Sequence, residues 1–179
     1  MKKVLFIIAI ALVSYTNYAQ SSVFDKFEDM EEVSSVVVSK SAFRMLGKFS
    51  GDNEEVKMLA NLESLKVFTA EDPAVIKKMK ATIDSYLKNS KLTELMRVND
   101  KGSNIKIYVR EGKDEDHVKE LLMFVNGLSK VTGNNNMNIN GMKPEAVILS
   151  LTGNIDLNKI SSLIEPHISG SGDQLKKKH

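Results

Sequence analysis

The chain has 179 residues, with 25 lysines and arginines against 23 aspartates and glutamates, 42% hydrophobic residues and no cysteine. Lys2 and Lys3 account for the whole formal charge of +2, so the chain beyond residue 19 is neutral. The missing thiol excludes a disulfide scaffold, a thiolate zinc site, a cysteine nucleophile and a lipid-modified cysteine, and the charge balance argues against a basic nucleic-acid binder.

Met1-Lys2-Lys3 is a short positive segment followed by the unbroken apolar run Val4 to Val13. That run falls well short of the ~20 residues a bilayer-spanning helix needs. With the polar stretch Ser14 to Ala19 after it, the pattern is that of a secretory signal over residues 1–19, cut after Ala19. No later segment reaches spanning length, so the expectation is an exported protein, periplasmic or extracellular, with no membrane span and no lipid anchor. Residues 20–168 lack a Pro-, Gly- or Ser-rich linker and read as one domain, large enough to fold without metal or disulfide. Residues 169–179, with Gly170, Gly172 and Lys176-Lys177-Lys178, read as a flexible basic tail.

Phe24 and Phe27, three apart among acids, predict a short helix over Val23 to Met30. Val33 to Ser39 is rich in valine and predicts a strand. One or two helical turns follow over Ser41 to Leu46, stopped at Gly47. Asp52 and Glu55 have capping-box spacing and open a helix with Val56, Leu59 and Leu62 on one face. Leu65 to Thr69 predicts the next strand. Asp72-Pro73 is an N-cap residue followed by proline, and begins a helix whose apolar stripe is Ile76, Met79, Ile83, Tyr86 and Leu87.

Leu92 to Val98 and Ile105 to Arg110 predict two strands joined at Asn99-Asp100-Lys101-Gly102. The second alternates Ile105, Ile107 and Val109 with Lys106, Tyr108 and Arg110, as a strand in an antiparallel sheet does when one side meets water. An acidic turn, Glu111 to Asp116, leads to a strand over Val118 to Val125, and a long loop runs from Gly127 to Pro144. Ala146 to Thr152 is the last strand. Asp156 caps a final helix with Leu157, Ile160, Leu163 and Ile164 inward, ended by Pro166. The fold class is α+β: a single domain with a mainly antiparallel meander sheet and helices packed on one face. The strand-helix units before and after Asp72 and Asp156 are alike enough to suggest duplication.

Chemistry-bearing motifs are few. The histidines are His117, His167 and His179, and none has metal-site spacing to another ligand. His117, beside Glu115 and Asp116, is the one reasonable centre for a dispersed hydrolytic or metal-dependent site. Asp114-Glu115-Asp116 lacks the ligand order of an EF-hand loop and reads as a solvated turn. Asp25, Glu28, Asp29, Glu31 and Glu32 form an acidic front that reads as a wet surface. Gly170-Ser171-Gly172 follows no strand and is no phosphate loop, and there is no Gly-x-Ser-x-Gly elbow. Lys77, Lys80, Lys88 and Lys91 read as the polar face of their helix, with Asp84 and Lys88 spaced for an ion pair.

Two candidate binding surfaces remain. Lys106, Tyr108 and Arg110 share one sheet face, which is either a binding surface or a face covered by a helix. Met137, Ile139 and Met142 sit within an asparagine-rich loop, where adaptable methionines beside amides suit a protein contact.

Phe24-Asp25-Lys26-Phe27, the Val33 to Phe43 strand and helix, and Leu149-Ser150-Leu151-Thr152-Gly153-Asn154-Ile155-Asp156-Leu157 resemble a family of exported domain-of-unknown-function proteins common in Bacteroidetes. The resemblance covers nearly all of the chain after the signal. It implies an envelope protein encoded near envelope-stress sigma factors, in a sensing or scaffolding role. It implies no catalytic residue. Many relatives carry a cysteine after the signal; this chain has none, so anchoring is not implied. The functional expectation is an exported non-enzymatic interaction module whose partner is another envelope protein, without cofactor, metal or nucleic acid. The alternatives are a small-ligand carrier, which needs an enclosed apolar cavity, and an enzyme centred near His117.

Overall fold

Asp72 and Pro73 start the longest helix as their chemistry dictates. The computed structural model describes residues 22–49, 59–100, 102–131 and 143–158, and in it the Asp72 carboxylate accepts from the amides of Ala74 at 2.8 Å and Val75 at 2.9 Å. The helix, α2 (Pro73–Asn89), buries Val75, Met79, Thr82 and Ile83, while Ile76, Tyr86 and Leu87 are half-buried at its margins. Among the described residues, α1 (Lys40–Phe49) and the single turn α3 (Leu128–Val131) are further helices, and a 3₁₀ turn spans Asp25–Phe27.

The six strands are β1 (Val33–Ser39), β2 (Leu62–Ala70), β3 (Thr93–Asp100), β4 (Ser103–Glu111), β5 (His117–Asn126) and β6 (Ala146–Asp156). They form one sheet in the order β1-β2-β6-β5-β4-β3, antiparallel at every pairing. Consecutive strands β3 to β6 make a meander. The antiparallel β1–β2 pair, connected through α1, adds to its far side, against β6. To connect β2 with β3 the chain must cross about four strand spacings, roughly 19 Å. At 1.5 Å per residue α2 is about 25 Å long, enough to lie across the sheet while it does so.

The principal core lies between α2 and the sheet. Met79 and Ile83 meet Phe68, Leu122, Phe124 and Ile148 there, all buried. Phe24 and Phe27 of the 3₁₀ region close one end, with the Phe24 ring edge-on to Tyr86 at 5.5 Å and Phe27 tilted on Phe68 at 5.9 Å. A second cluster joins Phe43 of α1 to Leu62, Val109, Val118, Leu151 and Ile155. Strand alternation places Leu151 and Val109 on the sheet face opposite Ile148 and Tyr108. The sheet is therefore apolar on both faces.

Two glycines behave differently from their sequence reading. Helix α1 runs through Gly47, because Ala60 packs against it: an added Cβ would lie 2.7 Å from the Ala60 Cβ. Strand β6 runs on through Gly153 to Asp156, with an irregularity in its pairing at this point. Gly153 has φ +136, and a side chain there would meet the backbone of Asn61 and Leu62 at 2.7 Å. The first helix expected over Val23 to Met30 is only the 3₁₀ turn, and the strands on either side of the Lys101-Gly102 turn extend to Asp100 and from Ser103. Asp156 accepts from the Asn158 amide at 3.1 Å, as a cap does. Of the helix expected after Asp52, Leu59 is helical, but Leu62 opens β2 and is buried there because the strand, expected from Leu65, starts three residues earlier. The signal segment, residues 50–58, the Asn-rich loop and the chain beyond Asn158 lie outside the described residues.

Candidate functional site

Strand β4 presents Lys106, Tyr108 and Arg110 to the face that α2 covers. Under the helix, Tyr108 is 7% exposed and belongs to the principal core. Arg110 is part of a buried polar network. Its Nη2 donates to Glu120 Oε2 at 2.7 Å and to the Tyr86 oxygen at 3.1 Å, and its Nε donates to Glu120 Oε2 at 3.2 Å. The Tyr86 hydroxyl in turn donates to Glu120 Oε1 at 2.7 Å. Glu120 is 6% exposed, so its charge is held by these two partners from β4 and α2. Burial, and then the adjacent Glu120 carboxylate, push the Tyr86 phenol up to about 12.

Further along the same face a polar cleft of about 190 Å³ opens between α2 and strands β4 and β5. Its walls are Lys80 and Asp84 from the helix, Asn104 and Lys106 from β4, and Asn126 from β5. Ile83, Phe124 and Tyr108 line the remainder. Glu94 and Arg97 of β3, paired with each other at 2.6 Å, lie beside the Tyr108 hydroxyl. Burial and then Glu94 raise the pKa of that phenol. Asp84 forms no ion pair with Lys88, contrary to the helical spacing, and lines the cleft instead. A groove of about 420 Å³ lies on the other flank of α2, between Lys78, Thr82 and Ser85 and the 3₁₀ region at Phe27 and Met30.

The opposite sheet face has no comparable polar content. Register aligns Val36, Val67, Leu149, Met123, Ile107 and Met96 in one row across all six strands. Rows on either side contain Leu151, Leu121 and Val109, and Val147, Val125 and Ile105. Phe43 of α1 joins the cluster around Leu151. The central row is exposed at both ends, with Val36 at 54% and Met96 at 44%, and its four middle members are half-buried. Leu95 and Val98 on β3 are exposed as well, as are Met45, Leu46 and Phe49 of α1.

The remaining candidates have local partners. His117 begins β5 and its Nδ1 is hydrogen-bonded to Asp114 three residues earlier in the turn. That contact lowers the pKa of Asp114. His117 lines neither the cleft nor the groove. Among the described residues no three His, Asp or Glu side chains converge as a metal-holding group, and no helix is long and apolar enough to cross a membrane. In the acidic front, Asp25 and Glu28 are not simply wet: both bind the ammonium of Lys66 on β2, Glu28 at 2.7 Å. Burial opposes the Lys66 charge, but these two carboxylates hold its pKa above the usual lysine range. Met137, Ile139 and Met142 lie outside the described residues. Sequence reasoning missed Asn104, Asn126 and the Glu120 network; Lys80 and Asp84, read as part of the polar face of their helix, are exposed there and border the cleft.

The fold and these sites define a small α+β domain built on one antiparallel sheet. The chain belongs to the family described as domain of unknown function DUF4252, whose model matches residues 27–163. No match emerged among curated proteins or among solved structures.

Proposed function

We propose that this chain is an exported, non-enzymatic interaction module of the cell envelope, which binds another protein on the sheet face opposite α2. The observation that carries this reading is the apolar row from Val36 to Met96, unbroken over six strands and exposed at both ends. Contiguous exposed apolar surface on a small domain marks a protein contact more often than a solvated face. The apolar β3 residues lie at the margin of the row, where a partner would seat. Export is supported by the Lys2-Lys3 and Val4 to Val13 pattern, and the neutral charge beyond it fits a protein partner better than a polyanion.

Photocrosslinking groups placed at Met96 and Val98 in intact cells test the reading, with Lys77 on the solvent side of α2 as the control. A discrete adduct from both sheet positions and none from Lys77 is expected. Met96→Lys with Val98→Lys should lower its yield at least tenfold, because two charges enter an apolar contact. Both side chains are already exposed, so the variant folds. No adduct at either sheet position, or the same adducts from Lys77, would overturn the reading.

A further inference from the structure

The cleft beside α2 carries three charged side chains that no ion pair among the described residues closes. Lys80 and Asp84 are one helical turn apart on α2, and Lys106 reaches the same space from β4. None of the three forms an ion pair, although seven other charged contacts are made across the described residues. Glu94 at the edge is ion-paired with Arg97 and also lies within the field of Lys106, so the cleft presents the Lys80 and Lys106 cations and the Asp84 anion, with Glu94 as a weaker neighbour of Lys106. Asn104 and Asn126 add amide groups at the rim, and Ile83 and Phe124 supply an apolar floor. Its volume, about 190 Å³, is below the several hundred typical of drug-sized pockets. It equals about six water molecules' share of liquid.

We propose that this cleft is a binding site for a free amino acid with an aliphatic side chain. The carboxylate lies between the Lys80 and Lys106 ammonium groups, the α-ammonium faces Asp84, and the side chain rests on Ile83 and Phe124. A single anion would leave Asp84 repelling it, and a single cation would face two lysines. A zwitterion of this size matches all three charges at once, which is the complementarity that gives such sites their selectivity. This proposal stands apart from the protein-binding reading, since the two surfaces lie on opposite faces of the sheet.

Titration of the isotopically labelled full chain with L-leucine, followed by amide chemical shifts, is the test. Saturable shifts are expected at Asn104, Lys106, Asn126 and the middle of α2. N-acetyl-leucine lacks the ammonium and leucinamide lacks the carboxylate; each should bind at least tenfold more weakly. Lys106→Met and Lys80→Met should each weaken leucine roughly tenfold, with thermal melting little changed, because neither lysine closes an ion pair within the described residues. Asp84→Asn should weaken leucine and strengthen N-acetyl-leucine, because it removes both the partner of the ammonium and the repulsion felt by a lone carboxylate. Equal binding of leucine and N-acetyl-leucine, shifts that ignore Lys106→Met, or no saturable shift at the cleft would overturn the proposal.

Discussion

The enclosed Glu120 carboxylate has both oxygens occupied, by Arg110 from the neighbouring strand and by Tyr86 from the helix above. The two partners are not equivalent. Arg110→Met leaves a buried charge without its cation, and should cost roughly 2–3 kcal/mol, less than the 3–5 of a fully buried pair because the arginine is partly exposed. Tyr86→Phe removes one hydrogen bond while the ion pair persists, and should cost about 1 kcal/mol. Urea unfolding of the two variants measures both. Tyr86 also sets an alkaline limit. Its folded pKa of about 12 lies above the unfolded value near 10. The stability linked to it is therefore complete below pH about 10 and is lost as pH rises through about 12. Tyr86→Phe should flatten this part of the stability–pH profile.

Helix α2 was legible in the sequence because every local signal agrees there: the Asp72 cap, Pro73 at the first position and an apolar period of three and four. The ends of helix α1 at Gly47 and of strand β6 at Gly153 were less so. A glycine marks a place where the backbone is free, and the sequence does not say whether that freedom ends an element, bends it or lets a neighbour approach. At Gly153 it permits a backbone conformation and a contact with β2 that no side chain tolerates. Gly153→Ala should destabilise the fold by about 2–3 kcal/mol, through strained dihedrals and displacement of the Asn61–Leu62 backbone. A lowered midpoint with an unchanged denaturant slope checks it. Alternation in β4 likewise identified which residues share a face. It could not identify which face the helix covers, because both carry enough apolar surface to be attractive.

At the scale of the molecule, the antiparallel α+β class was readable from the order of the elements, whereas the cleft was not. Lys80, Asp84, Asn104, Lys106 and Asn126 come from one helix and two strands, and no spacing in sequence announces their meeting. Only the path of α2 across the sheet brings them together. The same topology gives the chain a particular clock. Strand β6 is the last of the six to be synthesised, yet it lies between β2 and β5 and joins the hairpin to the meander. Until it emerges from the ribosome, β1–β2 and β3–β5 are separate fragments with no shared strand, and an isolated two-stranded hairpin is marginal in water. A chain ended at Glu145 should be cleaved in its β1–β2 region as fast as denatured protein is, while the full chain resists. In an incomplete chain of this design the first two strands to be made are the last to find a lasting place, so the order of synthesis and the order of assembly run in opposite directions.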